Sequence, residues 1–511
     1  MAIERSCNGT VDEAVRGLTT GGGVLRPRGL GLLRRGLLVG ASAVAFVAAA
    51  ATFPANAQGP GALDMLFGIG TDDGTPDGVV STSLGDGDDQ AAAIARTADG
   101  KLIVVGNRDA DGSKDIVVLR YNSDGTLDRA FGADGGSDGT PDGVVDVSLG
   151  EGDDVATAVA VQPDGKVVVA GYHAESASSN IFLLRLDADG RLDAGFGKAE
   201  DGTPDGIVNV SLGDGDDVAR GVAVAADGRI VVAGDSINGD SANIVVARFM
   251  ADGTPDASFG ADGGGDGTPD GFVGIDLGAG DDRANALALA ADGGILVAGS
   301  HGGDSANIIV ARLDQTGRLD AAFGKAEDGT PDGVVSLSLG DGDDVANALG
   351  IASDGKLVVA GTTVAADGSS NIVVARLLAD GTPDAGFGAD GGSDGTPDGF
   401  VATSLGEGND VAAALAVEPD GAILVAGHHQ DGDSTSMAVL RYTADGALDA
   451  GFGADGGADG TADGVVNVSL GDGDDTASGM VLDGDRLVVL AGSTVSSDGS
   501  SNIALVRLTL H

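Results

Sequence analysis

The chain has 511 residues, with 79 acidic and 28 basic side chains and a formal net charge of −51. So negative a surface repels nucleic acid and anionic lipid, since both demand a positive footprint. One cysteine and no tryptophan exclude a disulfide framework and leave few stacking platforms for sugars.

Residues 1–57 differ in kind from the rest. They hold six arginines and three acids, then the apolar run Gly36–Phe53. Ala55–Asn56–Ala57 fits the small-x-small cleavage rule, which predicts a signal peptide removed before Gln58. Arg34–Arg35 ahead of Gly36–Leu37–Leu38 resembles a twin-arginine export signal; an ordinary Sec leader is the alternative. The run is too short and too rich in Ala and Gly for a membrane span, and a retained anchor is the lesser reading. The expected compartment is secreted or cell envelope. Cys7 would leave with the leader, so residues 58–511 would carry no thiolate metal site and no cysteine nucleophile.

A repeat fills the remainder. Copies open at Gly78, Gly143, Gly206, Gly271, Gly333, Gly399 and Gly464. A period that regular means a repeat architecture. In the copy from Gly143 the expected strands are Val144–Leu149, Val155–Val161, Lys166–Gly171 and Asn180–Leu186. β-branched residues crowd these runs, and Gly, Asp and Pro separate them. No run carries helical spacing. Four antiparallel strands in each of seven copies predict an all-β, seven-bladed β-propeller, with a β-solenoid as runner-up.

The two ends support a ring. An arginine stands in the fourth strand of every copy: Arg120, Arg185, Arg248, Arg312, Arg376, Arg441 and Arg507. Six of these strands lead into Asp-x-x-Phe-Gly, at Asp128, Asp193, Asp256, Asp320, Asp384 and Asp449. The seventh motif lies at the other end of the chain, at Asp64–Gly68. Residues 61–84 are therefore expected to complete the blade begun by residues 475–510, which removes both open sheet edges. The repeated Arg and Asp read as a structural ion pair in each blade, and the motif Phe as packing plugs between blades.

The strings ALAVEPDG (414–421), VVVAG (167–171), LLRLDADG (183–190) and LDAGFG (192–197) recur in register. In these motifs residues 61–511 resemble the bacterial delta-60 repeat family. The resemblance implies a β-propeller of unknown function with an envelope or secreted habit. It carries no catalytic residues across.

Two acidic loops recur. The first ends in an aspartate in every copy: Asp89, Asp154, Asp217, Asp282, Asp344, Asp410 and Asp475. One reading is an Asx-type cap of a tight turn. The rival is Ca²⁺ ligation, because hard cations want several oxygens on a Gly-hinged loop. The second loop, Asp138–Gly143 and its copies, looks like half of a thrombospondin type 3 calcium loop but lacks the alternating Asp run that opens one. His173, His301 and His429 fall just past the third strand of alternate copies and read as exposed loop histidines. The inner strands are nearly all apolar, with Thr157, Arg220, Asn285 and Asn347 at one equivalent position, a candidate channel mouth.

No Ser–His–Asp set, phosphate loop or Glu–His cluster is present. The expected function is a non-catalytic interaction or structural scaffold, Ca²⁺-loaded or without cofactor. The alternative is a propeller hydrolase or lactonase-like enzyme with one metal in the channel, near Asn285 and Asn347. A third reading of the acidity is adaptation to high salt. The expected partner is a protein or cell-surface component, met by a monomer through polar loops such as Asp109–Lys114 and Thr362–Ser370.

Overall fold

Runs such as Val167–Ala170 are apolar at consecutive positions, which only a strand covered on both faces can use. In the computed structural model of the chain these runs are the second strands of seven four-stranded antiparallel sheets. The structure describes residues 45–46 and 59–511, apart from 69–76, 133–141, 198–204, 261–269, 325–331, 389–397, 454–462 and positions 111, 175–177, 214, 238, 240, 304, 340–341, 366, 433, 472 and 497–498. The second acidic loops fall largely on the long excluded segments. They and nearly all of the expected leader lie outside the described residues.

Blade 2 shows the plan. Its strands, from the innermost outward, are Asp154–Val161, Val167–Ala174, Ser179–Leu186 and Ile207–Val210. Val144–Val147, which opens the same sequence copy, pairs instead with Ser113–Tyr121 as the outermost strand of blade 1. Each copy therefore straddles two blades, and its first acidic loop carries the chain from one blade's rim to the next blade's innermost strand.

Every innermost strand has a bulge after its third residue, as between Ala156 and Ala158. The bulge turns a carbonyl toward the second strand, which explains the Gly of Val-Val-Ala-Gly. A Cβ on Gly171 would lie 1.9 Å from the Val155 oxygen, and one on Gly106 1.8 Å from that of Gln90. Only a residue without a side chain admits this approach.

The cores lie between blades rather than within them. Ile103, Val105, Ile116 and Val118 of blade 1 pack with Val167, Val169, Phe182 and Leu184 of blade 2. The same packing joins Val489, Ala491, Ile503 and Leu505 of blade 7 to Leu102, Val104, Val117 and Leu119 of blade 1, so the ring is closed. Blade 7 takes three strands from the C-terminal end, Asp475–Asp483, Leu487–Val495 and Ser501–Thr509. Its fourth is Val79–Ser83, with Val79 opposite Val506. A two-residue strand, Ala45–Phe46, continues that sheet outward.

Candidate functional site

The acidic-loop face is built by two consecutive residues in each loop. The last aspartate is buried in every copy, at 0–1% exposure for Asp89, Asp154, Asp217, Asp282, Asp344, Asp410 and Asp475. Its Oδ2 accepts the backbone N–H of the leucine five residues earlier, at 2.6–2.7 Å, from Leu84 in the first loop to Leu470 in the last. The carboxylate thus pins the loop that links two blades. The residue before it bolts the loop to the previous blade. Asp88, Asp153, Asp216, Asp281, Asp343, Asn409 and Asp474 accept at Oδ1 from an N–H at the start of the third strand there, within one residue of its first, at 2.7–3.1 Å. Sequence reasoning missed this second role. Its trace was the Asp-Asp or Asn-Asp doublet that persists while the acids before it vary.

Across the rung from the last aspartate the second strand places Arg108, His173, Ser236, His301, Thr363, His429 and Thr494. The sequence reading of the three histidines as exposed loop residues is overturned: all three lie in second strands. His173 and His429 are buried and His301 is half-buried. Their Nδ1 atoms meet Oδ1 of Asp154, Asp282 and Asp410, at 2.5 Å for His301 and 2.6 Å for His429. The expected strand stopped at Gly171, because Gly reads as a terminator; the bulge demands that Gly, and the strand continues to Ala174. Burial raises the Asp154 carboxyl, against the Leu149 N–H and His173, which lower it. Burial likewise pushes Asp89 up to about 6.

The opposite face carries the blade seams. Arg120, Arg185, Arg248, Arg312, Arg376 and Arg507 meet Asp128, Asp193, Asp256, Asp320, Asp384 and Asp64 at 2.7–2.9 Å, and Arg441 meets Asp449 directly. The motif phenylalanines, Phe67 through Phe452, are 0–1% exposed. In five blades the guanidinium lies 4.4–4.6 Å from the ring centroid of its own motif Phe. The same arginines reach into the next blade: Nη1 of Arg248 donates to the Gln315 carbonyl at 2.5 Å. The motif Gly adds a backbone bolt. From Gly68 to Gly388 its N–H donates to a turn carbonyl of the following blade at 2.8–2.9 Å, and Gly453 donates to Pro60 at 3.0 Å. Asp256 receives the Ser258 hydroxyl and N–H and the Arg248 guanidinium. These outweigh burial, the largest single influence, and hold its carboxyl down at about 2.

The polar residues of the innermost strands occupy the bulges. Thr157, Asn285 and Asn347 donate to the Ala219, Ala346 and Ala412 carbonyls of the next blade, at 2.7, 2.9 and 2.8 Å. Their hydrogen bonds join blades. Arg220 instead pairs with the buried Asp235 of its own blade. The Tyr172 phenol of blade 2 sits in the same electrostatic neighbourhood: burial and Asp153 raise it, and Arg220 lowers it. Tyr172 and Asp235 were missed because they follow the constant Val-Ala-Gly, at a position whose residue changes from blade to blade. Among the described residues no three His, Cys, Asp or Glu side chains converge as a metal cluster, and no helix is long and apolar enough to cross a membrane.

Residues 97–131, 162–196, 225–259, 290–323, 352–387 and 418–452 match the model described as "Domain of unknown function (DUF5122) beta-propeller". The matches support a β-propeller repeat family of unknown function. No curated protein matches the chain. Among solved structures, a protein of unknown function from Dyadobacter fermentans is similar at 10% identity, over 83% of this chain and 95% of that one, with a TM-score of 0.41. Sqt1 from Chaetomium thermophilum, bound to the N-terminus of a ribosomal protein, gives 12%, 82%, 97% and 0.41. The polysaccharide lyase Uly1 gives 11%, 82%, 90% and 0.45.

Proposed function

We propose that this chain, whose repeats match a β-propeller model of unknown function and resemble the bacterial delta-60 family, is a secreted or cell-envelope scaffold without catalytic activity. What supports a scaffold is where its polar side chains are spent. The loop aspartates hold backbone N–H groups, the motif aspartates hold arginines, and Thr157, Asn285 and Asn347 hold neighbouring blades. Chemistry needs distinct groups converging on one point, and these are repeated around a ring. The partner is a protein or cell-surface component that meets the hairpins between second and third strands. Those hairpins differ in length and sequence while their framework does not.

The test is a loop exchange. Hairpins 109–114 and 364–370 would be replaced by the sequence of residues 302–306, the equivalent turn of blade 4, and the full chain used to capture components of the envelope of its source cell. Loss of capture with an unchanged melting curve supports the scaffold. Capture indifferent to the exchange counts against these loops. One observation favours the enzyme alternative: Arg220 pairs with the buried Asp235 where Thr157, Asn285 and Asn347 bond the next blade, and its charge acts on the Tyr172 phenol. Ester or lactone turnover that requires a divalent metal and disappears in Tyr172→Phe and Arg220→Met would replace the scaffold with that enzyme.

A further inference from the structure

The residues facing the loop aspartates fall into two groups. Blades 1, 2, 4 and 6 place Arg108, His173, His301 and His429 there. Blades 3, 5 and 7 place only the hydroxyls of Ser236, Thr363 and Thr494, themselves 4–9% exposed. The carboxylates register the difference. In blades 2, 4 and 6, Oδ1 is engaged by an imidazole. Oδ1 of Asp217, Asp344 and Asp475 has no hydrogen-bond partner, although each residue is 0% exposed. These three are the loop aspartates of blades 3, 5 and 7. In all of these pairs Oδ2 holds the same leucine N–H, so loop geometry does not separate the groups.

A serine or threonine side chain is shorter than an imidazole. It does not engage Oδ1 as the ring does in the neighbouring blades. The hydroxyls of Ser236, beside Asp217, and of Thr494 and Ser469, beside Asp475, offset part of the burial that raises these carboxyls, but Oδ1 of each has no hydrogen-bond partner among the described residues. A fully buried carboxylate oxygen left unmatched is costly, and the same unmatched oxygen recurs three times on one structural rung.

We propose that Asp217, Asp344 and Asp475 each bind a monovalent cation, Na⁺ or K⁺, at Oδ1, with the facing hydroxyl of Ser236, Thr363 or Thr494 as a second oxygen ligand. The charge follows from the surroundings. Each site has one buried carboxylate oxygen without a partner, and the neighbouring Asp216, Asp343 and Asp474 are held at Oδ1 by the Ser179, Ala306 and Thr435 N–H groups. Hard divalent cations draw on several carboxylates at one point, and among the described residues no three such side chains converge. The sites number three, not seven, and hold independently of whether the propeller is a scaffold.

The full chain would be melted in NaCl, KCl and N-methylglucamine chloride, each at about 0.3 M so that exposed carboxylates are screened alike. A ligand bound only by the folded state raises the midpoint by mass action. The midpoint is expected to be a few degrees higher in NaCl or KCl and to saturate with concentration. The combined variant Ser236→His, Thr363→His, Thr494→His should abolish that difference. Equal midpoints in all three salts, or a difference that survives in the variant, would overturn the proposal. So would a larger rise with millimolar Ca²⁺ at matched ionic strength. Should the variant fail to fold, Rb⁺-soaked crystals of the unaltered chain decide. Anomalous peaks beside Asp217, Asp344 and Asp475 support the sites, and their absence, with water alone at the three oxygens, would overturn them.

Discussion

Arg248 shows what one residue does in this fold. Its Nε holds Asp256, its Nη1 holds a carbonyl of the next blade, and its plane covers Phe259. Removing it leaves Asp256 to Arg229, 2.8 Å away, and to Ser258, but takes away one charged partner, the bond to the next blade and the cover on Phe259, so Arg248→Ala should cost roughly 2–3 kcal/mol, read from the urea midpoint. Arg248→Lys should recover little, because an ammonium cannot fork to two acceptors and stack on a ring together. The two classes of aspartate also respond to pH in opposite directions. Asp256 is depressed to about 2 from 3.8, so its contribution is present above 3.8 and lost as pH falls through about 2. Asp89 is raised to about 6, so its charged form opposes folding at pH 7, and that opposition fades as pH falls through about 6 toward 3.8. Stability should therefore rise on mild acidification and fall in strong acid. Asp89→Asn should raise the midpoint at neutral pH and flatten the acid-side rise. An unchanged pH profile in that variant would show that Asp89 is ordinary.

At the scale of the strand, a glycine is decided by what faces it. Gly171→Ala puts a Cβ 1.9 Å from the Val155 carbonyl oxygen and 2.9 Å from Phe182, so the bulge must move. It should cost about 3 kcal/mol by overpacking. Gly274 lies in an outermost strand with nothing within 4 Å of such a Cβ, and Gly274→Ala should leave the urea midpoint unchanged or slightly higher. The strands were legible because the flanking turns and β-branched runs are local signals. The seven pairings of Arg with Asp were legible because both residues recur in register. The histidine environment was not: nothing in Gly-Tyr-His or Gly-Ser-His announces that a bulge in another strand requires the Gly and lets the strand run on. The division of the acidic loop between two blades was equally hidden, since Asp88 acts on Ser501, 413 positions away.

For the whole molecule, the question is whether ring closure depends on chain order or only on contacts. Gly59–Gly68 and Val79–Ser83 serve three blades at once. Asp64 pairs with Arg507, Gly68 donates to the Asp124 carbonyl of blade 1, and Pro60 accepts from Gly453 of blade 6. Deleting residues 59–84 would expose the edge of Ser501–Thr509 and strip the cover from two seams, so the variant should melt in more than one step and aggregate. The contacts themselves are indifferent to where the chain is cut. Gly59 already lies beside the last strand, with its carbonyl accepting from the Thr509 hydroxyl at 2.8 Å. A permutant that joins His511 to Gly59 through a short Gly-Ser linker and begins at Gly85 keeps every one of these bonds. It should fold to a single-step melt within a few degrees of the parent chain. A permutant as unstable as the deletion would mean that the tether from Leu84 into the Asp89 turn, rather than the seam contacts, holds the ring shut.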